Sequence, residues 1–258
     1  MMRAKIIACL DVKDKIVVKG TKFREHEIMG DALALAKRYS EAGTDELVIY
    51  DITASSKGET VDPEWIQSIK AVIDVPLCVA GGIASIESAE KLFASGADKI
   101  SLNSPALASP DLVDQLIARF GADKIVVGID SYFDDVRNDY FVYTLTGDEA
   151  TTQETKWRTL DWVKALKEKG VKEIVVNMMN QDGVRDGYDI PQLQKIRAIY
   201  DGALVASGGA GALPHFLEAY QEAQVDGTLS ASAFHKGIVD IAELKEYLAK
   251  AGLEVAGY

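Results

Sequence analysis

Ile6-Ile7-Ala8-Cys9-Leu10-Asp11 is a short apolar run that ends on a carboxylate, and Ile125-Val126-Val127-Gly128-Ile129-Asp130 repeats it in the second half of the chain. The correspondence continues downstream. Val79-Ala80-Gly81-Gly82 is answered by Ala206-Ser207-Gly208-Gly209. Gly96-Ala97-Asp98-Lys99 followed by Asn103-Ser104 is answered by Val225-Asp226-Gly227 followed by Ala231-Ser232. An internal repeat fixes the architecture before any single element is assigned. Each unit reads strand, helix, strand, helix, twice over, so two units carry eight strands and eight helices.

The strands are predicted at 6–10, 46–50, 77–80, 99–102, 125–129, 173–176, 203–206 and 227–229. They are short and continuously apolar, as strands buried on both faces are. Helical patterns separate them at 31–42, 63–73, 86–95, 110–120, 160–169, 191–200, 213–223 and 242–251. Asp62 caps the second of these, with Pro63 at its first position. Ser109 and Thr159 are read as caps of the fourth and fifth. Gly43, Gly96, Gly121 and Gly170 close helices. Regular alternation implies a parallel sheet. Eight such units in 258 residues fit one closed (β/α)8 barrel, the TIM barrel, over 1–258. Its half-barrels would run over about 1–122 and 123–258. An open doubly wound sheet would also alternate, but no G-x-G-x-x-G follows the first strand.

Apolar residues make up 48% of the chain, enough for a sizeable core, and the formal net charge is -12. No apolar run approaches a membrane span, no signal-peptide pattern opens the chain, and a cytoplasmic protein is expected. Cys9 and Cys78 lie in apolar strands and read as buried, reduced thiols. The histidines are scattered without metal-ligand spacing, so neither metal nor cofactor is expected. The acidic balance, with no basic stripe to offset it, excludes nucleic acid. Any phosphate must therefore be held by local backbone N–H groups and helix N-termini.

Asp11 and Asp130 end the first and fifth strands, which face each other across a barrel mouth. Such a pair can divide acid and base roles if its surroundings separate the two pKa values. The alternative is that each only ties down the loop that follows it. Gly81-Gly82 and Ser207-Gly208-Gly209 follow the third and seventh strands. Asn103-Ser104 and Ala231-Ser232 follow the fourth and eighth, just ahead of helix starts. Strand end, small residues and helix N-terminus together make a phosphate site in barrels. The duplicate predicts two phosphates on opposite sides of the mouth. Asp51 to Ser55 ends the second strand, and Asn177 to Gly183, with Asp182, ends the sixth; Asp182-Gly183 also reads as a plain turn. Residues 12–30 and 131–158 are long loops after the first and fifth strands, the second holding a small hairpin with 140–143 as one arm. At the opposite end, Lys5, Glu46, Lys99 and Glu173 begin four strands. They are either solvated strand starts or a charged ring closing the barrel bottom.

These segments together resemble the cyclase subunit of imidazole glycerol phosphate synthase, from histidine biosynthesis. The resemblance spans essentially the whole chain. It is carried by IIACLDV at 6–12, VVKG at 17–20, DELVIYDITAS at 45–55, AGGI at 80–83 and GADKISLNS at 96–104. It continues through GID at 128–130, NMMNQDGVRDGYD at 177–189, ASGGAG at 206–211 and HFLEA at 215–219. The resemblance implies that ammonia adds to a ribulosyl-formimino-aminoimidazole-carboxamide ribonucleotide bearing two phosphates. Imidazole glycerol phosphate and an aminoimidazole carboxamide ribonucleotide are then released. It places the catalytic aspartates on Asp11 and Asp130, with assisting residues at Lys19, Asp51 and Asn103. It places one phosphate at Gly82, Asn103 and Ser104, and the other at Asp182, Gly183, Gly209, Ala231 and Ser232. It makes Lys5, Glu46, Lys99 and Glu173 an ammonia gate beneath a glutaminase docked at the N-terminal face. The family usually has arginine where this chain has Lys5, which keeps the charge but not the forked donor geometry. The rival readings are the sibling barrel isomerase of the same pathway and a non-catalytic phosphosugar-binding scaffold.

Overall fold

Strands with apolar residues on both faces need a layer of side chains inside and another outside, and a closed sheet wrapped by helices supplies both. The computed structural model describes residues 3–21, 24–52, 61–147 and 150–257, with only the backbone described over 19–21 and 24–27. Its strands are β1 (Arg3–Lys13), β2 (Ile16–Thr21), β3 (Arg24–Asp31), β4 (Glu46–Asp51), β5 (Leu77–Ala80), β6 (Lys99–Leu102) and β7 (Ile125–Asp134). They continue as β8 (Asp139–Thr144), β9 (Gln153–Arg158), β10 (Glu173–Met178), β11 (Ala203–Ser207), β12 (Gly227–Ser230) and β13 (Glu254–Val255). The described helices are α1 (Ala32–Glu41), α2 (Pro63–Lys70), α3 (Ile86–Ala94), α4 (Ser104–Ala108), α5 (Pro110–Phe120), α6 (Thr159–Glu168), α7 (Ile190–Arg197), α8 (Leu213–Ala223), α9 (Ser232–His235) and α10 (Ile241–Lys250). No described helix is long and apolar enough to cross a membrane.

The barrel runs β1-β4-β5-β6-β7-β10-β11-β12 and closes from β12 back to β1, with every pairing parallel. This is the (β/α)8 barrel expected from the repeat. Register assigns the faces. Ile7, Cys9, Val48, Cys78, Val126, Val175, Val205 and Leu229 form a buried cluster inside the barrel. Neighbours of opposite parity, such as Ile6, Leu47, Val127 and Ile174, join the larger core under the helices.

The repeat is also visible in how the strand starts are fastened. Asp45, Asp98 and Asp226 each stand just before an even-numbered barrel strand. Each accepts the backbone N–H of the preceding odd strand, from Ile6, Leu77 and Leu204, at 2.8 Å in all three cases. Lysine or arginine completes each bond: Lys245, Lys70 and Arg197 respectively. The fourth equivalent position is Lys172, where the aspartate is missing.

Three expectations need correction. Residues 12–30 are not an irregular loop: β1 runs on to Lys13 and pairs with β2, which turns back as β3. The second excursion is larger than one hairpin, because β7 continues to Asp134 and pairs with β8, and β9 follows on β8. Neither Ser109 nor Thr159 caps a helix through its side chain: Ser109 makes no such bond, and Thr159 lies inside α6 after Arg158. Thr159 is buried, and its hydroxyl is bonded to Ser131 at 2.7 Å instead. Asp62 does cap α2, accepting from Glu64 N at 3.0 Å.

Candidate active site

The C-terminal ends of the barrel strands surround one cavity. Asp11, Asp51, Gly82, Asn103, Ser104, Asp130, Asn177, Asp182, Gly183, Ser207, Gly209, Ala231 and Ser232 all line it. Every mouth residue expected from the sequence is therefore brought together, apart from Lys19. Lys19 lies on β2, but its side chain falls outside the described residues, as do Thr53, Ala54 and Ser55. Tyr50, Ser101, Gly128 and Thr146 also line the cavity and were not singled out. Strand parity could have found three of them. Tyr50 follows Glu46 and Val48 on one face of β4; Ser101 sits between Lys99 and Asn103; Gly128 sits between Val126 and Asp130. Thr146 had no such signal, because it lies beyond a hairpin whose register the sequence does not fix.

Asp130 is only 6% exposed. Its Oδ2 accepts from Asn103 Nδ2 at 2.7 Å and from Thr146 Oγ1 at 2.5 Å, and its Oδ1 from Asn177 Nδ2 at 3.0 Å. Burial pushes its carboxyl above the ordinary range; the three donors oppose that rise, and Asp182 adds to it. Asp11 is half-buried, with the Cys9 thiol 3.9 Å from its Oδ1. The two aspartates therefore stand in different surroundings across one mouth, as a divided acid–base pair requires. Burial, reinforced by Cys9, Cys78 and Asp130, also drives the Tyr50 phenol well above 10.0.

The duplicated small-residue segments adopt matching backbones. Asn103 and Ala231 have φ of -125° and -116° just before α4 and α9. All four glycines of the two pairs have positive φ: 124° and 63° at Gly81 and Gly82, 88° and 118° at Gly208 and Gly209. Space is as decisive as φ here. A Cβ on Gly81 would collide with the Asp51 carbonyl, and one on Gly209 with the Gly187 carbonyl. Asp182-Gly183 is indeed a turn, with Asp182 N bonded to Met178 O at 3.0 Å, and it also faces the cavity.

At the other end of the barrel the four charged strand starts meet. Lys5 Nζ pairs with Glu46 Oε2, Lys99 Nζ lies 3.2 Å from the same oxygen, and Lys99 Nζ lies 2.6 Å from Glu173 Oε2. They are not simply solvated strand ends: Glu46 is 2% exposed and Lys99 and Glu173 are partly buried, while Lys5 stays the most exposed of the four. Burial works against the Lys99 charge, but Glu46 and Glu173 outweigh it and hold its ammonium above the usual lysine range. Burial likewise pushes up the Cys78 thiol just inside the ring, with Glu46 and Glu173 adding to the shift. Cys9 and Cys78 are both buried, and neither forms a disulfide among the described residues.

The histidine biosynthesis protein family model matches residues 5–240. The imidazole glycerol phosphate synthase subunit HisF of Pasteurella multocida (strain Pm70) is 58% identical over 255 residues, 99% of this chain and 100% of that protein. Those of Enterobacter sp. (strain 638) and Salmonella newport (strain SL254) are also 58% identical over 255 residues, covering 99% of both chains. Barrel, mouth and full-length identity agree, and the chain belongs to the histidine biosynthesis protein family as an imidazole glycerol phosphate synthase subunit of the HisF type.

Proposed function

We propose that this chain closes the imidazole ring of imidazole glycerol phosphate. Ammonia adds to the ketone of the two-phosphate ribulosyl-formimino-aminoimidazole-carboxamide ribonucleotide. The adduct loses water and cyclises, and an aminoimidazole carboxamide ribonucleotide leaves. Asp11 and Asp130 move the protons. Addition of an amine and loss of water need a base and an acid in turn, and each such group contributes roughly 10²–10⁴-fold. Burial makes Asp130 the member that keeps its proton to higher pH than an ordinary carboxyl. Lys19 is the assisting residue for the reacting ketone, and Asp51, Asn177 and Ser207 line the body of the substrate.

Gly82, Asn103 and Ser104 hold one phosphate; Asp182, Gly183, Gly209, Ala231 and Ser232 hold the other. The observation that carries the reading is the matched pair of mouth halves. Asp11 and Asp130 share one cavity with two small-residue cradles of like backbone. A ligand with a phosphate at each end and the reacting carbon between them fits that arrangement.

The ring of Lys5, Glu46, Lys99 and Glu173 is the gate through which ammonia enters, beneath a glutaminase docked on the N-terminal face. The partly buried ion-pair chain at the barrel bottom, with Glu46 buried at its centre, supports this. Above it, the apolar layer of Ile7, Val48, Val126, Val175, Val205 and Leu229 leads to the mouth and suits a small neutral molecule. The whole chain works as one domain of two half-barrels in the cytoplasm, consistent with its two buried cysteines, which form no disulfide among the described residues.

The test is a spectrophotometric assay with the ribulosyl substrate and an ammonium salt at high pH, without any partner subunit. Turnover to the ring product is expected. Isomerisation of the aminoaldose substrate without ammonia-dependent turnover would favour the sibling isomerase. Binding without either reaction would favour a scaffold.

A further inference from the structure

The hairpin that follows β7 does more than cover the barrel rim. Beyond the end of β8 the chain turns back into the mouth, where Leu145, Thr146 and Gly147 line the cavity. Thr151 Oγ1 donates to Leu145 O at 2.9 Å, and two further bonds anchor this tip to the mouth. Leu145 N donates to Ser104 Oγ at 3.0 Å, and Thr146 Oγ1 donates to Asp130 Oδ2 at 2.5 Å. The anchors hold a backbone that a bulky residue seldom adopts: Leu145 has φ of 56°, in the left-handed region. Its side chain is 42% exposed, so apolar burial does not explain the conformation. Thr146, in contrast, is 8% exposed.

We infer that Thr146 is a positioning residue for Asp130, and that the Leu145–Thr146 tip couples the carboxylate to the anion subsite at Ser104. The inference rests on the proposed roles of Asp130 and Ser104. Its chemistry is specific to a hydroxyl. Asn103 and Asn177 approach Asp130 through their amide nitrogens, which only donate. They serve the ionised carboxylate and have nothing to offer a proton on it. A threonine hydroxyl donates to the carboxylate and, after rotating, accepts from the carboxylic acid. Thr146 can therefore stay bonded to Oδ2 through both halves of a proton-transfer cycle. One residue earlier, the Leu145 amide takes a lone pair of Ser104 Oγ, which turns the serine proton toward an anion in the cavity. An anion at Ser104 and a proton on Asp130 thus pull on adjacent residues of one strained turn.

The titratable groups facing Asp130 are Asp182, from the turn after β10, and Tyr50, from β4. Asp11 and Asp51 line the same cavity. Loss of the Thr146 donor removes a bond that favours the ionised form, so the Asp130 limb of the rate profile should move to higher pH.

The experiment compares wild type, Thr146→Val, Thr146→Ser, Ser104→Ala and the Ser104→Ala/Thr146→Val double variant. Each is assayed with the ribulosyl substrate and ammonium salt across pH, with circular dichroism confirming the fold. Thr146→Val should lower kcat by about 10-fold or more, in the range of a lost bond to a charged group, and should shift that limb upward. Thr146→Ser should restore both to within about threefold, since it keeps the hydroxyl. The double variant should depart from the product of the single effects by more than about threefold. An unshifted profile in Thr146→Val, or equal losses in the Val and Ser variants, would overturn the positioning role. A strictly multiplicative double variant would overturn the coupling. Failure of the proposed function itself would look different: wild type would show no ammonia-dependent turnover, or Asp130→Asn would stay active.

Discussion

Asn103 Nδ2 lies 2.7 Å from Asp130 Oδ2, so a residue assigned to a phosphate cradle also touches the buried carboxylate of the next strand. The bond follows from register. Ser101 pairs with Val126, so Asn103, two residues on, comes level with Gly128, and Asp130 is the next residue of β7 on that same face. On the proposed roles, substrate holding and proton transfer are therefore not separate regions of this mouth. They share side chains, and a substitution made to probe one should disturb the other.

Asp11→Asn and Asp130→Asn should each reduce ammonium-driven turnover by roughly 10²–10⁴-fold while leaving the circular dichroism spectrum unchanged. Steady-state kinetics checks both. If each variant kept more than about a tenth of wild-type kcat, the acid–base assignment would be wrong.

Stability should move the other way at Asp130. Its carboxyl titrates above 3.8 in the folded protein because burial outweighs its hydrogen bonds. The native state thus holds this proton more tightly than the unfolded chain does. The stabilising effect is fully present below 3.8 and is lost as pH rises through the folded value. At neutral pH the ionised group is a net cost, so Asp130→Asn should be the more stable protein there. Each kcal/mol of relief is worth about 2–4 °C in Tm for a domain of this size. The advantage should shrink on acidification. Thermal melts of both proteins across pH check the sign, and a lower Tm for Asp130→Asn at neutral pH would contradict it.

The same parity that hides or reveals residues explains how much was legible beforehand. Asp11 and Asp130 could be found because each ends an apolar run, and the repeat doubled the signal. Lys5, Glu46, Lys99 and Glu173 could be found because charge is unusual where a buried strand begins. Tyr50 could not stand out by type, since an aromatic residue at the end of an apolar strand reads as core; only its register against Asp11 reveals where it points. The excursions after β1 and β7 were read as loops because their strands are short, mixed in polarity and partly exposed. They pair with β1 and β7 and bury only a few apolar side chains, Val17 and Val142 among them, too few for a clear hydrophobic pattern. Ser109 does stand at the N-cap of α5, though without a side-chain bond, whereas Thr159 falls inside α6 because its buried hydroxyl is used by Ser131.

Ser104→Ala and Ser232→Ala are cleaner probes of the two proposed phosphate subsites than any change at Gly209, where a side chain would strike the Gly187 backbone and unsettle the fold. Each serine variant should raise KM by roughly 10-fold or more, the loss of one hydrogen bond to a charged group, with little change in Tm. Soaked phosphate or sulfate should occupy both subsites in crystals of the wild type. Unchanged KM in both variants would show that backbone groups alone hold the phosphates.

Lys99 joins Glu46 to Glu173, and its removal should separate two activities that share one barrel. Free ammonia can reach the mouth from solvent, so Lys99→Ala should leave ammonium-driven turnover largely intact. If the proposed gate holds, ammonia released by a docked glutaminase passes the ring. Without Lys99, Glu173 loses the ion pair that holds it and Glu46 keeps only Lys5. The closed arrangement then opens or collapses, and glutamine hydrolysis should run without matching cyclisation. A buried carboxylate, Glu46, and a partly buried one, Glu173, are left with one lysine, so some loss of stability is expected as well. That loss would lower both rates in proportion to the folded fraction. The readout is therefore the ratio of glutamine-driven to ammonium-driven turnover, measured with the glutaminase subunit present in excess. A ratio well below wild type supports the gate. An unchanged ratio with a lowered Tm would make the ring a structural closure of the barrel bottom and nothing more.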